Sequence, residues 1–300
     1  MSLEPLNGVY PILAMPFDSG GRIDVEVLQR EVEFMVQAGV HGVGVALASE
    51  VPTLNEAERD LALRVVVEQA RGRVRVVMNT GAAGTHLALY YSQCAQELGA
   101  DAVMVLPPPP ATTTAAETLG YSQRIAAGIR VPIFLQDAAT SPVPPALAAR
   151  IADSVEHAWY LKVETPPTPP RVAEVVAVAG SRLTVFGGAG GNFFLEELRR
   201  GSRGTMPGSA IPEVFVQVWN LFNAGRVDEA QTTFGRYATL LNLLSQGGGI
   251  FFYLYKEVLR LRGVFTNTEV RKPATEPDAI AYRELRHQVE ILGLAAGVTH

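Results

Sequence analysis

Three hundred residues, 48% of them hydrophobic and only 18% charged, suit one large domain with a sizeable core. A net charge of −5 with scattered basic residues speaks against nucleic-acid binding, and no apolar run reaches the ~18 residues of a membrane span. Cys94 is the only cysteine, which excludes an internal disulfide, and the five histidines stand in no metal-ligand spacing, so neither metal nor cofactor is expected.

The N-terminal stretch MSLEPLNGVY has no basic region followed by an apolar one, so no signal peptide is expected and cytoplasm is the expected compartment. Short apolar runs then alternate with amphipathic helical stretches. The runs are GVYPILAMPF (8–17), GVGVAL (42–47), VRVVMN (74–79), AVMVLP (102–107), VPIFLQD (131–137), WYLKV (159–163), LTVFGG (183–188) and GTMPGSA (204–210). After the first run, DVEVLQREVEFMVQAG opens on an aspartate able to cap a helix. After the second, NEAERDLALRVVVEQARG opens on Asn55 with Glu58 three residues on, the spacing of a capping box. LPPPPATTT (106–114) reads as a rigid loop after the fourth strand. Strands apolar on both faces, alternating with helices, imply a parallel sheet covered by helices. Eight repeats fit a (β/α)8 TIM barrel, and no GxGxxG follows the first strand to suggest a dinucleotide fold. Beyond about residue 212 the pattern is only helical, so the expected division is a barrel over 1–222 and a C-terminal helical region over 223–300.

The active site of such a barrel lies at the C-terminal ends of its strands. Those ends present Ala48, Ser49 and Glu50 after the second run and Asn79 after the third. They present Gln136 and Asp137 at the fifth, Lys162 and Glu164 at the sixth, Gly188 at the seventh, and Thr205, Met206 and Ser209 at the eighth. Lys162 draws the most attention. The chain holds 25 basic residues, of which only Lys162, Lys256 and Lys272 are lysines. Arginine stays protonated and forms no imine, whereas a desolvated lysine amine can attack a carbonyl. Alternation along a strand places Glu164 on the same face as Lys162, which supplies a nucleophile beside a proton carrier. The same pattern also describes a snorkelling lysine paired with a carboxylate at a strand end. Lys256, next to Glu257, reads as a helix-face charge that could also cap the barrel mouth. Tyr10, Trp159 and Phe186 read as barrel packing, and Cys94 as a buried helix residue.

With these residues in view, the chain resembles the dihydrodipicolinate synthase/N-acetylneuraminate lyase family of class I aldolases. The opening GVYPILAMPFDSGGRIDVEVLQREVEFMVQAGVHGVGV is similar to that family's first strand and helix. SEVPTLNEAER resembles the segment after its Gly-Thr-Thr-Gly-Glu motif, YLKVE its Schiff-base strand, and GSRGTMPGSA its glycine-rich eighth strand. The resemblance implies a (β/α)8 barrel, a homotetramer, and an imine between Lys162 and a 2-keto acid. It also carries departures. Leu47 and Ala48 stand where two hydroxyl residues are usual. Gln136 replaces the proton-relaying tyrosine, Pro108 and Pro109 replace a tyrosine pair, and Ser141 replaces a carboxylate-binding arginine. An amide cannot shuttle a proton as a phenol does. Lys-x-Glu with Gln-Asp at the fifth strand resembles the branch of 2-keto-3-deoxy-sugar-acid dehydratases, such as those acting on 2-keto-3-deoxyarabonate.

The expected reaction is therefore dehydration. Lys162 forms the imine and Glu164 moves the proton. Gln136 and Asp137 orient a substrate hydroxyl, while Ser49, with Ala48, Glu50, Gly188, Thr205, Met206 and Ser209 around it, holds the rest of the acid. Retro-aldol cleavage to pyruvate, or synthase-like chemistry, is the alternative with the same imine. A keto-acid-binding protein without catalysis is the third reading, favoured by the missing relay and opposed by the retained lysine.

Overall fold

The computed structural model of the chain describes residues 5–108, 113–157 and 159–296. Strands form within each of the eight apolar runs: β1 (Gly8–Val9), β2 (Gly42–Val45), β3 (Arg75–Asn79), β4 (Ala102–Val105), β5 (Ile133–Asp137), β6 (Trp159–Val163), β7 (Thr184–Gly187) and β8 (Gly204–Thr205). All ladders are parallel, in the order β1-β8-β7-β6-β5-β4-β3-β2. Ile12 closes the ring, because it bridges Gly44 on one side and Gly208 on the other. The result is a (β/α)8 barrel, and it has no free sheet edge to protect.

Each strand is followed by a helix: α1 (Val25–Gln37), α2 (Glu56–Ala70), α3 (Thr85–Glu97), α4 (Ala115–Ala126), α5 (Pro145–Ser154), α6 (Thr168–Ala179), α7 (Phe194–Leu198) and α8 (Pro212–Asn223). Four more follow: α9 (Val227–Gly235), α10 (Ala238–Leu244), α11 (Ile250–Leu261) and α12 (Ala279–Ile291). The caps read from sequence form as expected. Asp24 accepts the Val27 N–H, and Asn55 and Glu58 exchange hydrogen bonds as a capping box. No helix among the described residues is long and apolar enough to cross a membrane.

Strand alternation sorts the side chains into two layers. Ile133, Leu135, Leu161, Val163 and Val185 face outward and pack against the helices. Tyr10, Ile12, Phe134, Tyr160, Phe186 and Met206 face inward and fill the barrel. Each such fully buried side chain contributes about 1.5–3 kcal/mol. Glycine in β2 makes room for the inner layer: a Cβ on Gly42 would stand 2.1 Å from the Tyr10 ring. Trp159 belongs to the outer layer. Cys94 is half-buried rather than buried, because α3 leaves that flank partly open. The interior is therefore packed solid below, and chemistry is possible only at the mouth, where the inner face passes from aromatic to polar residues.

Candidate active site

The polar mouth begins one step above the aromatic layer. On β5 and β6 the inward positions after Phe134 and Tyr160 are Gln136 and Lys162, and the two are register partners. The next inward position after Lys162 is Glu164, whose backbone N–H still follows the ladder to the Asp137 carbonyl at 2.8 Å. Lys162 Nζ and Glu164 Oε1 lie 3.0 Å apart, with the lysine side chain 5% and the glutamate 21% exposed. Gln136 Nε2 donates to Glu164 Oε2 at 2.6 Å, and the Ala189 N–H donates to Oε1 at 3.3 Å. Asn79 on β3 donates to Gln136 Oε1 at 3.3 Å, which holds the amide with its N–H side toward the carboxylate. Thus the carboxylate receives donors on both oxygens, and one of those donors is the lysine.

Gly188 supplies the space for this pair. A Cβ there would stand 2.4 Å from Glu164 Cγ and 3.0 Å from Lys162 Cε. Above the pair lies a pocket lined by both residues, by Ala48, Met206 and Ser209, and by Phe251, Phe252, Tyr255 and Lys256 of α11. Of these four the sequence offered only Lys256, as a charge that could cap the mouth; Phe251, Phe252 and Tyr255 went unassigned. Their spacing carried a signal, because 251/255 and 252/256 are i,i+4 pairs on adjoining faces of one helix. Gly208 admits the helix: a Cβ there would stand 2.0 Å from the Tyr255 ring. Burial pushes the Tyr255 phenol well above its ordinary pKa, so it presents a neutral hydroxyl.

Of its two readings, Lys256 takes the second: it is buried at the mouth and is not a charge on a helix surface. Its Nζ donates to Glu50 Oε1 at 2.5 Å and to the Glu269 carbonyl at 2.6 Å, and lies 4.7 Å from the Phe17 ring centre. Burial lowers its pKa, and the Glu50 carboxylate opposes that. The Arg271 N–H donates to the other Glu50 oxygen at 3.0 Å. Glu50 is accordingly the anchor of α11 and not a group open to a ligand.

Three further residues expected in the site do not line its pocket. Asp137 follows inward-facing Gln136 and so faces outward. It accepts from Arg171 Nε at 2.5 Å and Nη2 at 2.9 Å, from the Thr165 hydroxyl at 2.7 Å and from the Val143 N–H at 2.8 Å. The Ser49 hydroxyl donates to the Leu13 carbonyl at 2.5 Å and accepts from the Ala46 N–H, and is fully buried. Thr205 pairs in register with Val9, which packs outward on Phe194 and Phe215, so its side chain faces the helices. Ser141 donates to the Pro107 carbonyl at 2.8 Å and so fastens the proline loop; Pro109 of that loop lies outside the described residues.

A lysine in contact with a carboxylate at the mouth of a barrel, under a wall of aromatic residues, has the parts for imine chemistry on a small carbonyl acid. Comparisons with known proteins agree with this class of chemistry. L-2-keto-3-deoxyarabonate dehydratase of Azospirillum brasilense is 29% identical over 284 residues, which cover 92% of this chain and 91% of that protein. A 4-hydroxy-tetrahydrodipicolinate synthase of Methanococcus maripaludis is 29% identical over 245 residues, 80% of this chain and 83% of that one. Among solved structures, dihydrodipicolinate synthase from Rhodopseudomonas palustris superposes with a TM-score of 0.88 at 26% identity, covering 95% of this chain and 97% of that one. The profile of the dihydrodipicolinate synthetase family matches residues 5–292, and the chain therefore belongs to that family of class I lyases.

Proposed function

We propose that the protein dehydrates a 2-keto-3-deoxy sugar acid, of the kind represented by L-2-keto-3-deoxyarabonate, through an imine on Lys162. The observation that carries this reading is the Glu164 carboxylate 3.0 Å from Lys162 Nζ, with an amide rather than a phenol on its other side. Glu164 takes a proton from the lysine, and the freed amine attacks C2 of the keto acid. Glu164 returns that proton to the C2 oxygen, which leaves as water and gives a protonated imine that acidifies C3, with Glu164 again a carboxylate. Glu164 removes the C3 proton, and the electron pair forms the C2–C3 double bond of an enamine. The enamine then expels the C4 hydroxyl, which takes the same proton back from Glu164 and leaves as water. Water hydrolyses the resulting unsaturated imine and frees Lys162. One residue thus serves as base and then as acid, which suits a carboxylate held by three donors that can release and regain a proton without moving.

Gln136 positions Glu164. Ser209 is the group we assign to a substrate oxygen, since it lines the pocket and its buried hydroxyl closes no hydrogen bond with another described residue. Ala48, Met206 and the α11 aromatics shape the remaining wall. Similarity to the Azospirillum brasilense dehydratase supports the substrate class. We further propose that the protein works as a homotetramer, as is usual in the family.

The test is intact mass after borohydride reduction in the presence of 2-keto-3-deoxy pentonates and hexonates, and of pyruvate alone. The expected adduct maps to Lys162 and weighs one water less than the simple reduced imine of the substrate. A pyruvate adduct arising from a longer acid would replace dehydration with C3–C4 cleavage. No adduct from any keto acid would remove the imine.

A further inference from the structure

Behind the pocket wall lies an acidic group that the mechanism above does not use. Glu31 is on α1, on the outer side of the barrel, and is fully buried. Its Oε1 accepts the Ala14 N–H at 2.9 Å, while its Oε2 is buried without a partner. The Ser209 hydroxyl lies close enough to this carboxyl to favour its anion, yet it is buried and, like Glu31 Oε2, closes no hydrogen bond of ordinary geometry. Ala14 and Ser209 both line the pocket that holds Lys162 and Glu164, so Glu31 sits directly under two of its lining residues.

The charge balance decides what Glu31 can do. The cation facing it is Lys256 of α11, and that nitrogen is already committed to Glu50 at 2.5 Å and to the Glu269 carbonyl at 2.6 Å. A buried carboxylate without a cation of its own takes up a proton instead. Burial does push the Glu31 carboxyl up to about 8, against the Ala14 N–H, Ser209 and Lys256, which favour the anion. Protonation sets the polarity of the neighbour. An ionised Glu31 could only accept from Ser209 and would consume the serine's single proton. A neutral Glu31 can donate to the serine oxygen and leave that proton free for the pocket. A keto acid presents carboxylate, carbonyl and hydroxyl oxygens, so a donor is what the pocket needs there.

We propose that Glu31 is a positioning residue for substrate binding: its protonated carboxyl donates to Ser209 Oγ and so turns the serine proton toward an oxygen of the bound keto acid. This rests on the imine-lyase reading for the identity of the ligand.

The experiment compares wild type, E31Q and S209A in steady-state turnover of L-2-keto-3-deoxyarabonate from pH 6 to 9. Infrared spectra of the free enzymes accompany the kinetics. In the wild type, KM should rise about tenfold as the pH passes ~8 while kcat changes less, the size expected for one hydrogen bond to an anion. E31Q keeps a donor toward Ser209 and an acceptor for the Ala14 N–H, so its KM should stay low and flat. S209A should show the raised KM at every pH. At pH 7 the wild type should show the band of a neutral buried carboxyl that E31Q lacks and that S209A shifts. An alkaline rise in KM that persists in E31Q overturns the proposal, as does a neutral-acid band that is the same in wild type and E31Q. If E31Q fails to fold, the S209A band shift still decides between the two. Borohydride trapping with pyruvate runs in parallel. Its failure in the wild type would sink the imine reading, whereas the part of the neutral-acid band lost in E31Q reports on Glu31, because Glu197 contributes equally to both spectra.

Discussion

Replacing Gly188 with alanine should cut turnover while leaving the barrel folded. The added Cβ would stand 2.4 Å from Glu164 Cγ, whereas nonbonded carbons rest at about 3.5–4.0 Å. Glu164 must therefore withdraw by about 1 Å or more. Its bonds to Lys162 at 3.0 Å and to Gln136 at 2.6 Å have no slack for that. A misplacement of ~1 Å in catalytic geometry costs on the order of 10²-fold. Overpacking costs about 1–3 kcal/mol of stability, which a domain of this size tolerates. The same Cβ would approach Lys162 Cε only to 3.0 Å, and a flexible lysine end can yield by a few tenths of an ångström. G188A should accordingly lose about 10²-fold in kcat yet still give a borohydride adduct on Lys162. Gly120 in α4 is the matched control, because nothing lies within 4 Å of a Cβ placed there. G120A should keep full activity and gain about 0.5–1 kcal/mol from helix propensity. Wild-type kcat in G188A would refute the assignment of Glu164 as the proton carrier, or show that its position is immaterial.

K162A should abolish the adduct, and K162R should do the same, since guanidinium keeps charge and length but forms no imine; peptide mapping after borohydride reduction checks both. E164Q should retain the adduct and lose on the order of 10²–10⁴ in kcat, read by single-turnover kinetics. K256M should lower the melting temperature by an amount equivalent to about 3–5 kcal/mol, since Glu50 is then buried without its cation, and K256M/E50Q should recover much of that loss. Stability should fall as the pH rises from about 4.5 to about 8. Burial pushes both Glu31 and Glu197 up to about 8, so the folded chain holds protons that the unfolded chain has released, a slope of up to ~1.4 kcal/mol per pH unit for each group. Glu33, held down to about 2 by Arg73 and then Gln69, acts in the opposite sense only below about 4.5; His41, whose pKa burial lowers, opposes the fall below about 6.5 but is one group against two. Denaturant melts of E197Q at pH 5 and pH 8 should show a smaller difference than wild type; an equal difference would exclude Glu197 as a source.

The strands and the first helix caps were legible because their signals are local: apolar runs of strand length, an Asp at position 24, an Asn-x-x-Glu at 55–58. The shared face of Lys162 and Glu164 was legible for the same reason, since period-two alternation needs no knowledge of the fold. That rule, pressed one step further, also separates Gln136 from Asp137, and treating the two as a single group at the end of β5 overlooked it. What alternation does not reveal is why Asp137 is needed: its partner Arg171 lies 34 residues on, in α6. Ser49 looked like a free hydroxyl because its acceptor, the Leu13 carbonyl, is 36 residues away on the adjoining β1 segment. The largest omission was the wall made by α11. Phe251, Phe252 and Lys256 form a plausible surface face in isolation. They become a pocket only through the long-range bond from Lys256 to Glu50, 206 residues distant.

The amide at position 136 and the carboxylate at 164 are best understood as one change. A phenol on β5 would offer a second exchangeable proton beside the lysine, and two carriers would compete for it. An amide offers an N–H that stays in place, and Asn79 holds its carbonyl side so that the donor keeps facing Glu164. Oxygen Oε2 is thereby committed to a fixed donor, and Oε1 is left to face Lys162 and the Ala189 N–H. The site then has a carboxyl in contact with the Lys162 nitrogen, the group that takes the C3 proton in the proposed reaction. That arrangement suits the proposed dehydration, in which a single proton leaves carbon and departs with a hydroxyl. A relay of hydroxyl groups serves one in which a proton must travel outward from the site. In the proposed reaction Gln136 thus narrows the chemistry as much as Glu164 enables it.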